Sequence, residues 1–251
     1  MQLKDYTGQS GMSTENSVDF SLMPKLDLLL VIERLNRAYG PQDWWPADDA
    51  FEMIVGAILT QRVAWRNAET AVGALRSADL LSVGAIHAMA ADELAERIRP
   101  SGFYRAKART LKAMAAYVDA RHGGRAEWLR LMPLQALRGD LLNICGIGPE
   151  TADAILVYAA DKASFVVDAY TVRLLTRLEG TGKAMSYERV RKRFMKALPA
   201  DAALYGQAHA VLVRHGQRVC TKRMPRCGEC SLADQCLYGR LAGSQPTADD
   251  R

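Results

Sequence analysis

The sequence predicts an all-α protein. Apolar residues recur at helical spacing along most of the chain, and alanine-rich runs are mixed with leucine, arginine and lysine, which favour helices. Only the segment 164–167 (SFVV) resembles a strand, and it is too short to found a sheet. About ten helices are therefore expected. With 251 residues, the chain is long enough to bury a substantial core.

The first helix is predicted from position 28 to 39, where apolar residues recur at intervals of four, three and four. The second begins at Phe51, after Pro46 and two aspartates, residue types that start helices. Further helices are predicted, in chain order, at 68–75, 91–98, 106–121, 133–144, 149–160, 169–178, 187–198 and 202–216. Residues 1–18 and 239–251 are predicted to be loose tails, the first of them disordered.

Composition excludes the membrane and secreted classes. Apolar residues make up 49% and charged residues 24% of the chain, the profile of an ordinary globular protein. No apolar run approaches the length of a transmembrane helix, and residues 1–19 lack the apolar region of a secretory signal. We therefore expect a cytoplasmic protein without a membrane partner.

Positive charge is concentrated in one stretch. The whole chain has a net charge of +5, but residues 183–226 hold eleven Lys and Arg against two acids, so the remainder is net acidic. Nucleic acid is the natural partner of such a one-sided patch. Lys222, Arg223 and Arg226 lie between two cysteines, where a bound metal group would hold them against a phosphate backbone.

Four of the five cysteines lie close together, at Cys220, Cys227, Cys230 and Cys236. An odd count and this clustering argue against a disulfide framework and indicate a reducing compartment. Four thiolates in one loop can hold zinc or an iron–sulfur cluster. Structural zinc usually has two short cysteine pairs and this loop has one, so the cluster is favoured and zinc stays the alternative.

Two glycines bracket one apolar residue at Gly146-Ile147-Gly148, between two predicted helices. Such a turn exposes backbone N–H groups, and the following helix N-terminus adds partial positive charge. The hairpin is therefore a candidate phosphate site that reads no sequence, with an ordinary helix connection as the alternative. Asp168 follows an apolar run and precedes a helix. Its position favours an N-cap, with a carboxylate facing a developing cation as the alternative.

These features together resemble the endonuclease III branch of the helix-hairpin-helix DNA glycosylases, over roughly residues 24–238. The likeness rests on the hairpin, on Asp168 at the family's catalytic position and on the 6-2-5 spacing of the cysteines. Supporting matches lie at 58–61 (ILTQ), 102–108 (GFYRAKA) and 215–216 (HG).

The resemblance implies two lobes, a six-helix barrel at 43–162 and a second lobe from 19–42 and 163–238 that carries a [4Fe-4S] cluster. It implies a nucleoid-associated monomer that bends double-stranded DNA in the cleft and turns a damaged base out into a pocket. Gln61 resembles the residue that fills the gap left in the base stack, although a helix C-terminal glutamine is the alternative.

One position departs from the bifunctional members of the family, which have a lysine directly before Thr-Ala in the hairpin's second helix. Here Glu150 stands there, and a carboxylate cannot form a Schiff base. We expect a monofunctional glycosylase in which Asp168 stabilises the oxocarbenium-like sugar and orients or deprotonates water. The alternatives are a lyase that uses another lysine, such as Lys107 or Lys162, and a non-catalytic damaged-DNA binder.

The segments 44–46 (WWP), 56–61 (GAILTQ) and 150–156 (ETADAIL) are similar to the 3-methyladenine glycosylase branch. Alkylated purines are electron-poor and often cationic, and they stack well on indoles. Trp44, Trp45 and Tyr170 are therefore candidate base-pocket residues, with core packing as the alternative. The cysteine loop favours endonuclease III proper, so oxidised pyrimidines and mismatched thymine or uracil stay alternative substrates.

Overall fold

A computed structural model of the protein describes residues 26–181 and 185–243. This part of the chain is built of helices and short 3₁₀ turns and holds no strand, which confirms the predicted fold class. The twelve α-helices are α1 (Leu28–Tyr39), α2 (Ala50–Leu59), α3 (Trp65–Ser77), α4 (Val83–Ala88), α5 (Ala91–Arg97), α6 (Tyr104–His122), α7 (Leu134–Asn143), α8 (Pro149–Tyr158), α9 (Ala169–Glu179), α10 (Tyr187–Ala197), α11 (Ala202–Arg218) and α12 (Leu237–Gly243). None of these helices is long and apolar enough to span a membrane.

The structure differs from the predicted elements at three places. α4 was missed because its six residues are too few to show a helical period; Ser82 caps it. α12 occupies the start of the predicted C-terminal tail and packs against α9. The strand-like segment 164–167 is buried extended chain that leads into Asp168. The predicted tail 1–18, residues 244–251 and Lys183 lie outside the described residues.

The helices pack as two groups. α3, α6 and α8 surround α2, in which every residue from Phe51 to Leu59 is buried, while α4 and α5 cover α6, and α7 covers α8. In the second group, α1 and α9 pack against α11, and α12 packs against α9. α8 also contacts α11, so the two groups meet beside the hairpin that precedes α8.

A buried polar network supports α8 from behind. Asp153 has no exposed surface, and its carboxylate accepts hydrogen bonds from Arg138 Nε on α7 (2.9 Å) and the Tyr187 hydroxyl on α10 (2.8 Å). Ser164 Oγ donates to it at 2.5 Å, and Arg191 Nε lies 3.2 Å away. Arg191 is thus a buried partner of Asp153, although its place in the sequence puts it in the basic stretch.

Candidate functional site

The hairpin turns where only glycine fits. Gly146 has φ +89°, and a Cβ there would lie 2.0 Å from Thr110 Oγ1 on α6. Ile147 is buried, and Gly148 is the residue before Pro149, which begins α8. The first-turn N–H groups of α8 lack intrahelical partners by construction and open the helix N-terminus to an anion.

Gln61 lies directly against this hairpin. Its Nε2 donates to the Gly146 carbonyl at 3.0 Å and to Thr151 Oγ1 at 2.9 Å. The turn that follows α2 is therefore joined to the hairpin and to the first turn of α8. The sequence-based candidate Gln61 thus lies beside the three hairpin candidates.

Asp168 is the N-cap of α9, as its sequence position predicts, and it also faces other ionisable groups. Its Oδ1 accepts from the Thr171 N–H (2.7 Å) and the Thr171 hydroxyl (2.8 Å), and its Oδ2 lies 3.7 Å from His209 Nε2. Burial raises the pKa of Asp168, but the contacts with His209 and Thr171 outweigh it and hold the pKa below its usual value. The carboxylate is 11% exposed and stays ionised at neutral pH.

His209 on α11 is a site residue for which the sequence offers no motif. Its Nδ1 lies 2.7 Å from the Tyr158 hydroxyl, which donates to the Gly206 carbonyl at 3.1 Å. The contact between Nδ1 and the hydroxyl fixes the orientation of the His209 ring. Tyr158, His209 and Asp168 thus form a chain across the contact between α8 and α11.

Glu150, in the first turn of α8, belongs to the same site. Its side chain reaches solvent, but partial desolvation and the Asp168 carboxylate raise its pKa, against an opposing effect of His209. The charges of two carboxylates, Asp168 and Glu150, therefore act on each other in this part of the structure. The two substitute lysines bond elsewhere: Lys107 Nζ donates to two backbone carbonyls, and Lys162 Nζ donates to the Arg130 carbonyl at 2.7 Å.

Aromatic rings lie next to this site. The Trp44 and Trp45 rings contact each other (5.5 Å between centroids), and Trp65 at the start of α3 contacts both, at 5.8 and 5.2 Å. Trp45 also contacts Tyr158 at 5.8 Å, which connects the indoles to the His209 chain. Trp65 was missed at the level of sequence. The Trp44 Nε1–H is buried and has no hydrogen-bond partner among the described residues.

Tyr170 lies apart from these rings. It packs against Gly216, where a Cβ would lie 2.5 Å from the Tyr170 ring, and the Arg173 guanidinium lies 5.0 Å from the ring centroid. These partners lie near the cysteine loop, because Arg173 also donates to the Cys220 carbonyl. The place of Tyr170 in a base pocket stays a prediction.

An exposed aromatic residue lies in the loop before α6. Phe103 is 63% exposed and adopts φ +47°, a left-handed conformation that turns the chain sharply. The preceding Gly102 lies against Val63, which follows α2; a Cβ on Gly102 would lie 3.3 Å from Val63 Cγ1. Phe103 and Gln61 therefore lie on two loops that touch. The signal for Phe103 in the sequence is the family-like segment 102–108.

The four clustered cysteines line one cavity together with apolar residues of α9. Arg177 Nη1 donates to Cys220 Sγ at 3.1 Å, and the Leu232 N–H donates to Cys230 Sγ at 3.4 Å, contacts that stabilise thiolates. Within 26–181 and 185–243, no three His, Cys, Asp or Glu converge as a single-ion site. The three loop cations Lys222, Arg223 and Arg226 are exposed, as is Met224 between them.

Comparison with known proteins places these features in a wider group. Residues 55–200 match the family model described as HhH-GPD superfamily base excision DNA repair protein. A Methanocaldococcus jannaschii protein named as a DNA repair glycosylase is 42% identical over 200 residues, which cover 79% of this chain and 90% of that protein.

Two solved structures have similar folds. The H. pylori 3-methyladenine DNA glycosylase bound to 1,N6-ethenoadenine superposes with a TM-score of 0.68 at 26% identity, over 77% of this chain and 98% of that one. A trapped endonuclease III–DNA covalent intermediate superposes with a TM-score of 0.74 at 20% identity, over 87% and 100% of the two chains. The second likeness concerns the fold alone.

Proposed function

The chain belongs to the HhH-GPD superfamily of base excision DNA repair proteins, and from this premise we propose that it is a monofunctional DNA glycosylase. It would hydrolyse the N-glycosidic bond of a damaged base that is turned out of double-stranded DNA, and leave an abasic site without a nick. One observation carries this proposal. The charge of the ionised Asp168 carboxylate acts on Glu150, a carboxylate at the position where a lyase of this family would need an amine.

The two carboxylates would divide the chemistry. Asp168 has a lowered pKa and stabilises the positive charge that develops on the sugar as the base departs. Glu150 has a raised pKa, which suits a group that accepts a proton from the attacking water. His209 positions Asp168 through its Nε2, and the bond from its Nδ1 to Tyr158 fixes the ring.

The site favours an alkylated purine as the substrate. Trp44, Trp45 and Trp65 offer indole faces that attract an electron-poor or cationic ring, and the unpartnered Trp44 Nε1–H offers a hydrogen-bond donor. Two nearby carboxylates favour a cationic base over a neutral one. The H. pylori relative is named for such a lesion. Oxidised pyrimidines and mismatched thymine or uracil are the alternative substrates.

DNA would be held by three neighbouring loops. The hairpin N–H groups bind phosphate, while the exposed Phe103, and Gln61 once its amide leaves Gly146 and Thr151, enter the base stack beside the everted nucleotide. Lys222, Arg223 and Arg226 would contact the phosphates farther along the duplex. The proposed assembly is a cytoplasmic, nucleoid-associated monomer on double-stranded DNA that holds a damaged base.

The decisive assay is product analysis on duplexes with one alkylated, oxidised or mismatched base. We expect free base from the alkylated purine and an abasic strand that breaks only after alkali treatment. Strand breaks without alkali would support the bifunctional alternative. Tight binding without base release from any duplex would support the non-catalytic binder.

The cysteine loop would hold a [4Fe-4S] cluster through its four thiolates, and zinc is the alternative. The four thiols around one cavity and the donors to Cys220 and Cys230 fit such a group. Cys220 and Cys227 flank the basic segment 221–226, so a bound cluster would hold that segment in a fixed shape. Anaerobically purified protein should absorb broadly in the blue and contain iron and labile sulfide in equal amounts. A colourless protein that contains zinc would contradict this prediction.

Replacing Gly146 by alanine should weaken binding to damaged and undamaged duplexes alike. The new Cβ would lie 2.0 Å from Thr110 Oγ1, so the hairpin or the Thr110 side chain must move. The positive φ adds strain of about 1–3 kcal/mol. We expect about tenfold lower affinity in fluorescence anisotropy, and a salt slope smaller by about one for each phosphate that the hairpin no longer binds.

Gly139→Ala is the matched control for this change, because Gly139 lies on α7, the first helix of the hairpin, and has open space around its Cα. This variant should bind as the wild type does. A Gly146→Ala variant with wild-type affinity would show that the hairpin does not hold phosphate.

A further inference from the structure

Lys107 is a buried cation that the proposed chemistry does not use. It lies in the first turn of α6 with 3% of its surface exposed. Its Nζ donates to the Leu59 carbonyl at 2.7 Å and to the Ser101 carbonyl at 2.7 Å. Burial lowers the pKa of Lys107 to about 8. Its hydrogen-bond partners among the described residues are backbone carbonyls. The role of this cation is therefore to hold those carbonyls in place.

The two carbonyls belong to the two loops proposed to enter DNA. Leu59 ends α2, two residues before Gln61, and its carbonyl lies at the negative end of that helix. Ser101 lies two residues before Phe103 and ends the 3₁₀ turn Arg99–Ser101. The loops also touch through Gly102 and Val63. One ammonium therefore sets the distance between the chain segments that carry Gln61 and Phe103.

The same helix also fixes the third DNA-facing loop. Thr110 lies one turn after Lys107, and Gly146 of the hairpin packs against it. The hairpin also contacts the loop after α2, because Gln61 in that loop donates a hydrogen bond to the Gly146 carbonyl. The start of α6 is thus where all three loops converge, with Lys107 between the two that carry the inserting side chains.

We propose that Lys107 is a positioning residue that holds Gln61 and Phe103 at the spacing needed for both to enter DNA at one damaged base pair. The inference rests on the proposed function. Methionine has a shape similar to that of lysine, so Lys107→Met removes the two hydrogen bonds without leaving a cavity. The variant also no longer buries a charge, which offsets part of the stability lost with the hydrogen bonds. We expect the variant to fold, but we expect the spacing between the two loops to change.

The test is a double-mutant cycle of Lys107→Met and Phe103→Ala. The probe is a duplex with a tetrahydrofuran abasic analogue, because binding to it requires no base release. We expect each single variant to bind about tenfold more weakly, in line with the cost of misplacing a positioned group. The double variant should lose clearly less affinity than the product of the two single losses, because part of the effect of Lys107 passes through Phe103.

Lys112→Met is the matched control, because Lys112 on the same helix also donates to two carbonyls, those of His87 and Met89, away from the DNA-facing loops. It should bind the probe as the wild type does. Lys107→Arg keeps a cation with several donors and should restore most of the affinity, even where Lys107→Met folds poorly. The proposal would be overturned if the affinity losses of the two single variants multiply in the double variant. A loss of affinity from Lys112→Met equal to that from Lys107→Met would also overturn it. Failure of base release by the wild type would overturn the glycosylase function and leave this binding cycle interpretable.

Discussion

We expect the Asp168→Asn variant to release base about 10³-fold more slowly than the wild type while it binds damaged DNA as tightly. Asparagine is nearly the same size and caps helices as well as aspartate does, so it can still accept from the Thr171 N–H. What it loses is the negative charge that faces the sugar and His209. The measurement is single-turnover base release from an alkylated duplex, with affinity and melting temperature recorded in parallel.

Asp201→Asn is the control for this prediction. Asp201 caps α11 as Asp168 caps α9, and its Oδ1 accepts from the Leu204 N–H at 2.6 Å. The same chemical change at a cap outside the cleft should leave base release unchanged. Asp168→Asn activity within tenfold of the wild type would mean that the carboxylate only caps α9, and the catalytic role would fail.

The parts of the site that could be predicted from the sequence are local motifs. The hairpin glycines lie within three residues of one another, and the four cysteines lie within one loop. Asp168 is placed by a break between an apolar run and a helix. In each case the chemistry depends on residues close along the chain, so spacing alone carries the information. The all-α fold was predicted for a similar reason, since helical periods are local.

The rest of the site depends on how helices pack, which no local period records. Tyr158 and His209 are 51 residues apart in sequence and meet because α8 packs against α11. Trp65 starts α3, and nothing in its segment indicates that it contacts Trp44 and Trp45. In the sequence, Arg191 is one more cation of a basic helix, but in the structure it is buried beside Asp153. Tertiary contacts decide these roles.

Replacing Glu150 by lysine should convert the protein into one that cleaves the DNA strand. The charge of the Asp168 carboxylate contributes to the raised pKa of Glu150, and we expect the longer lysine side chain at this position to reach the space beside Asp168. An amine there can attack the sugar carbon and form a Schiff base, the entry to strand cleavage. The helix N-terminus disfavours the ammonium form of a lysine at this position, while the Asp168 carboxylate favours it, so trapping should increase as the pH rises and more of the lysine is a free amine. Borohydride should trap a covalent complex with Glu150→Lys and none with the wild type.

The control variant is Glu150→Gln, which removes the carboxylate without adding an amine and should give no trapped complex. A complex trapped with the wild type would contradict the monofunctional proposal, and its loss in Lys162→Met or Lys107→Met, at DNA concentrations that saturate each variant, would identify the nucleophile. Lys107 is the weaker candidate of the two, because its amine is buried and bonded to two carbonyls. Absence of trapping with Glu150→Lys would mean that position 150 does not reach the sugar. In that case Glu150 serves only as a first-turn acid favoured by the helix dipole, and the attacking water would depend on Asp168 alone.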